Sequence, residues 1–178
     1  PSSQNLTLAQ RRARKYLQVI LLSSLCLMAI VALINFVVDP FQFFRPAKHA
    51  QFSTLMMRHQ LPGVIRNYPF DAIVVGNSLS ANLRPEWFAD YQPKITLQNL
   101  ALYGGTVNES VEAVRLALRF KPLKVVFWQL GYQTYANDYR FPDFPHCLYS
   151  IVFDKFPYCY LLSIDILRET LPSLLSLG

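Results

Sequence analysis

The chain is poor in cysteine, histidine and glycine, with three, three and six among 178 residues. No Cys-x-x-Cys pair or Cys/His spacing occurs, which excludes a zinc-finger type of metal site. No Gly-x-Gly-x-x-Gly run and no phosphate-loop lysine occurs either, so no nucleotide cofactor is implied, and no other cofactor or metal. Acidic side chains are missing from the first 38 positions, where Arg11, Arg12, Arg14 and Lys15 stand unopposed. Those four account for most of the net charge of +6, since from Asp39 onward thirteen basic residues meet eleven acidic ones. Such a balance leaves no basic stripe for DNA or RNA, and nucleic acid is excluded as a partner. Low complexity and internal repeats are also absent.

What is present begins with a hydrophobic run. Leu17 to Val38 is twenty-two residues without a charged side chain, and as a helix it would reach about 33 Å, enough to cross the hydrocarbon core. It is too long for a signal-peptide core and no small-x-small cleavage site follows it. Cys26 lies in mid-run after Leu25, which is not a lipoprotein signal. With the basic cluster before it and Asp39 after it, the positive-inside rule puts the amino terminus in the cytoplasm and the rest outside. The expectation is a single-pass protein of a bacterial inner membrane, in contact with lipid through Leu17 to Val38. Phe41, Phe43, Phe44 and Arg45 suit the outer interface, or pack on the domain that follows. The chain divides into a basic tail (1–16), a transmembrane helix (17–38), a juxtamembrane connector (39–70) and an α/β domain (71–178).

The α/β domain is organised around Asp71 to Ser80. Ile73, Val74 and Val75 are β-branched and continuous, as in a strand covered on both faces in a parallel sheet. Gly76 then allows a sharp turn that puts Ser78 beyond the carboxyl edge of the sheet, where open α/β folds hold ligands. The bland alternative is a strand followed by a polar turn. Before it, Gln51 to His59 has helical composition and Pro62-Gly63 stops it; Met56 and Met57 suit packing. After it, Pro85 opens a helix to about Tyr91, with Trp87 and Phe88 as apolar contacts. Ile95 to Leu100 reads as a second strand. From Asn108 a helix carries an apolar stripe of Val111, Val114, Leu118 and the neighbouring Leu116. Lys124 to Leu130 is the third strand. Strand and helix alternate, which predicts a three-layer α/β fold with a parallel sheet. Tyr132 to Tyr160 reads as a long ordered loop, and Leu161 to Leu175 returns to helical spacing with Ser163 as a cap and Pro172 kinking or ending it. Cys147 and Cys159 could form a disulfide closing a small loop if the domain is exported; in the cytosol they would be small core residues.

Three loops leave the carboxyl ends of these strands: Gly76-Asn77-Ser78, Gly104-Gly105-Thr106 and Gly131-Tyr132-Gln133-Thr134. This succession resembles the SGNH (GDSL-like) hydrolase superfamily, and within it membrane-anchored bacterial members with one amino-terminal helix. The resemblance runs from about Val38 to the end and implies a flavodoxin-like sheet of the SGNH type. It makes Ser78 the nucleophile, Gly105 (or Gly104, one position earlier) a backbone donor to the oxyanion, and Gln133 an amide donor where the family has asparagine. It implies an esterase or O-acetyltransferase acting on acyl esters of envelope glycans. Asn77 stands in place of the commonest aspartate. The family's Asp-x-x-His block does not occur, and His49, His59 and His146 stand outside any such spacing. An active form therefore needs a histidine beyond residue 178; otherwise the chain is a non-catalytic relative that binds glycan or holds a membrane partner.

Overall fold

The structure, a computed structural model, describes residues 8–46, 56–88, 90, 94–132, 144–150 and 157–175. The chain divides into two compact units, Pro1–Val38 with Tyr160–Gly178, and Asp39–Cys159.

In the first unit, α1 runs from Leu8 to Val38. Its Gln10–Val38 stretch is long and apolar enough to cross a membrane; its most apolar 18-residue window has a mean hydropathy of 2.6, and none of that window is buried inside the protein. The unit's other long helix is Ile164–Leu175, α7 below, which packs on α1. It takes in Pro172 instead of stopping there. Ser163 does cap it, its Oγ accepting from the Ile166 N–H at 3.4 Å.

The second unit is mixed α/β, built on three parallel strands, β1 (Ala72–Val75), β2 (Leu97–Asn99) and β3 (Val125–Trp128), in the order β2-β1-β3. All four β1 residues are buried, as a continuous β-branched run requires. Asp71 gathers the amino ends of all three strands. Its carboxylate accepts from the Thr96 N–H at 2.6 Å and pairs with Lys124 Nζ at 2.6 Å, while its carbonyl accepts from the Lys124 N–H at 2.7 Å. The Lys124 ammonium, then the Thr96 N–H, hold this carboxyl below its ordinary value.

Helix α2 (Met57–Asn67) runs through Pro62-Gly63, contrary to the expectation that this pair ends a helix. The reason is tertiary. Pro62 has no N–H for the carbonyl of Arg58 four residues earlier. The buried Tyr149 hydroxyl donates to that carbonyl instead, at 2.9 Å. Gly63 is required because a Cβ there would overlap the carbonyl oxygens of Phe41 and Gln42. Phe41 and Phe43 are themselves buried, so they pack on the domain, where the Asp39 carboxylate accepts from the N–H groups of Phe43, Phe44 and Arg45.

Between β1 and β2 lie α3 (Ser78–Ala81) and a 3-10 turn, Pro85–Phe88, shorter than the helix expected there. Between β2 and β3 lies α4 (Val107–Phe120), opened by a capping box in which Thr106 and Glu109 bond each other's N–H groups. Its buried face is Glu109, Ser110, Ala113, Leu116 and Ala117, whereas Leu118 is exposed. Of the expected stripe Leu116 lies on this face, and beside it the small side chains of Ser110, Ala113 and Ala117 let the helix approach the rest of the unit closely. Within the stretch expected to be a loop, α5 (His146–Tyr149) and α6 (Tyr158–Leu161) form short turns. A disulfide joins Cys147 to Cys159 with Cα atoms 6.2 Å apart.

Candidate functional site

Two turns meet at the carboxyl edge of β1. At the first, Gly76 adopts φ +150°, and a Cβ on it would stand 2.6 Å from Ser80 Oγ and 2.9 Å from both Cβ and Oε1 of Gln129. Only glycine fits that backbone and that space. The chain then enters α3 through Asn77, whose side-chain oxygen accepts from the Leu79 N–H at 2.9 Å. Ser80 is buried and its Oγ donates to the Asn77 carbonyl at 2.9 Å, so it closes the turn and points inward. Ser78, between the two capping residues, is half-buried.

Two side chains from the neighbouring strands fix this turn. Asn99, at the end of β2, donates through Nδ2 to the carbonyls of Ser80 (2.8 Å), Leu83 (2.8 Å) and Ala81 (3.3 Å), and its Oδ1 accepts from the Ala101 N–H. It thereby ties the carboxyl end of α3 and the chain just beyond it to β2. Gln129, the first residue after β3, lies over Gly76 and accepts the Asn77 N–H at 3.1 Å. That bond sets the amide's orientation, oxygen toward the turn. Asn99 is the last residue of one strand and Gln129 the first after another, and that place at a strand's carboxyl end is the signal that could have singled them out.

The second turn is Leu102 to Thr106. The Leu102 N–H donates to the Gly76 carbonyl at 3.1 Å, which couples the two turns. Gly104 takes φ +61°, and Gly105 is closely packed, with a Cβ position 2.9 Å from the carbonyl oxygens of Gly76 and Leu102. The Gly105 N–H donates to the Leu102 carbonyl at 2.9 Å and so is engaged inside the turn.

Of the residues singled out in the sequence, the structure therefore brings Ser78 and Gly105 onto adjoining turns. Gln133 and His49 lie outside the described residues. His59 packs on Phe41 with ring centroids 5.9 Å apart, and His146 on Phe144 at 4.7 Å. Among the described residues no histidine or carboxylate hydrogen-bonds Ser78, and none of them forms a cluster of three or more metal-ligating side chains.

Beyond the carboxyl end of α3 opens a cavity of about 650 Å³. Met57, Leu61 and Val64 of α2 form one wall, Leu83, Pro85 and Trp87 the other, and Gln60, Arg84, Glu86 and Gln98 are among its polar members. Ala81 and Asn99 line it, so the turn-fixing network forms part of its wall, although Ser78 does not. A smaller cavity, about 300 Å³, lies by the first turns of α4 between Glu112, Arg115 and His146. Comparison of the chain with protein-family models, with curated proteins and with solved structures gave no match.

Proposed function

We propose that the protein is a membrane-anchored, SGNH-like component of the bacterial envelope whose Ser78, in the full-length form, is a nucleophile toward acyl esters of envelope glycans, as esterase or O-acetyltransferase. The observation that carries this is the Ser78 turn. A glycine that nothing else can replace, a capping asparagine and two amides from adjacent strands hold one half-exposed serine at the carboxyl edge of a parallel sheet. The order β2-β1-β3 is consistent with a flavodoxin-like sheet of the SGNH type. α1 supplies the single-pass anchor, and the Cys147–Cys159 disulfide supports an oxidising compartment for the domain, outside the inner membrane. Catalysis here requires a general base that none of the described histidines supplies.

A non-catalytic role, binding glycan or holding a membrane partner, is favoured by one specific observation: the Gly105 N–H is spent on Leu102 rather than left for an oxyanion. Turnover of an aryl acetate by the full-length protein in detergent separates the two. The esterase role predicts turnover that Ser78→Ala lowers by roughly 100-fold or more. Equal rates for wild type and variant would leave the binding role.

A further inference from the structure

Asn35 is a polar residue in the last turn of α1, in a stretch from Leu25 to Val38 that is otherwise apolar, and it is completely buried. Its Nδ2 donates to the carbonyls of Leu161 (2.9 Å) and Ser163 (3.3 Å), and its Oδ1 lies 3.2 Å from the Thr170 hydroxyl. Thr170 also bonds the Ile166 carbonyl at 2.7 Å. One amide thus binds both the start of α7 and its second turn to the end of α1. A side-chain amide inside an apolar helix contact is costly unless paired, so this pairing fixes which face of α7 meets α1.

That face is the one with Ile166 and Thr170, both fully buried. At about 100° per residue, Ile164 and Leu171 fall two turns apart on a common stripe away from it. Ile164 is 79% exposed and Leu171 49% exposed, with Leu167 half-buried between them. Asp165 and Arg168 are exposed on the side beyond that stripe. The helix therefore has three sides: one on α1, one apolar and open, one charged. The apolar side adjoins α1, whose own apolar surface is likewise uncovered. Two continuous uncovered apolar surfaces with a charged margin are the pattern of a helix lying in a membrane interface.

We infer that α7 is an interfacial membrane helix, its Ile164, Leu167 and Leu171 stripe sunk at the headgroup–acyl boundary of the leaflet where α1 ends, with Asp165 and Arg168 toward water. This rests on α1 being a membrane span. Asn35 makes the two helices a single lipid-binding unit, so the protein meets the bilayer through a hairpin-like pair rather than a lone anchor.

The test uses the full chain in vesicles of phosphatidylethanolamine and phosphatidylglycerol, with an environment-sensitive fluorophore on one cysteine at a time. Native Cys26, free and exposed on α1, reports the span. Ile164→Cys and Asp165→Cys, each combined with Cys26→Ser, report the two sides of α7. The expected result is quenching by spin-labelled acyl chains at positions 26 and 164, and by aqueous iodide at 165. Lipid quenching at 26 with iodide quenching at 164 would overturn the inference while leaving the span intact. Quenching by neither agent at 164 would overturn it too, in favour of a protein cover such as a second copy. Loss of lipid quenching at 26 would remove the span and the inference together.

Discussion

Gly76 and Ser80 together decide how the serine turn is built, because the glycine leaves the space that Ser80 Oγ and the Gln129 side chain fill. Gly76→Ala is expected to destabilise the domain by about 2 kcal/mol or more, since the new Cβ meets both neighbours and the positive φ disfavours it; denaturant unfolding of the full chain measures this. Gln129→Ala removes the acceptor for the Asn77 N–H and should cost about 1 kcal/mol, whereas Gln129→Glu, which keeps an acceptor, should lose less. Asp71 makes a pH-dependent contribution whose sign follows from its partners. Lys124 and the Thr96 N–H favour the carboxylate, so the folded pKa is lowered and the stabilisation is present above the unfolded value. It is lost as pH falls through the lower, folded value. Asp71→Asn should therefore lower the melting temperature at neutral pH, with the gap to wild type closing as pH falls through that value. Ser78 and Gly76 were legible in the sequence because a β-branched run ending at Gly-x-Ser is a local pattern. Asn99 and Gln129 were not, since a polar residue at a strand end declares its partner only once the strands are side by side.

At the scale of elements, the parallel sheet was legible in the alternation of strand and helix along the chain, while helix faces and ends were set by contacts distant in the chain. Pro62-Gly63 inside α2 is the sharpest instance, made tolerable by Tyr149 from far along the chain and by the Phe41–Gln42 backbone. The inner face of α4 was hidden for a related reason: Ser110, Ala113 and Ala117 carry little hydrophobic signal, yet they are the residues that fit. The start of α4 is tied to α2 by the Arg58–Glu109 pair, 2.8 Å apart and largely shielded from water. Thr106→Ala should cost about 1 kcal/mol through loss of the cap. Glu109→Ala should cost more, about 3 kcal/mol, because it also removes the carboxylate paired with the shielded Arg58 guanidinium. Comparing the two denaturation midpoints at equal m-value checks the order. Reduction of the Cys147–Cys159 disulfide, which spans a sequence separation of 12, should lower stability by about 3 kcal/mol.

At the scale of the whole molecule, the chain has an apolar helix long enough to cross a membrane and a small parallel α/β domain that begins at the next residue, Asp39. The sequence made that division plain at Val38. It did not disclose that the residues from Tyr160 onward group with α1 rather than with the sheet, because the amide that binds them, Asn35, reads in sequence as one polar residue in an apolar run. The serine turn is common to the esterase and binding roles; the fate of the Ser78 hydroxyl distinguishes them. Treatment of the full-length protein with a serine-directed fluorophosphonate, followed by mapping of the modified peptide, reads that fate directly. A nucleophilic Ser78 predicts a single adduct on that residue that disappears in Ser78→Ala. No adduct, or equal labelling of wild type and variant, would contradict it.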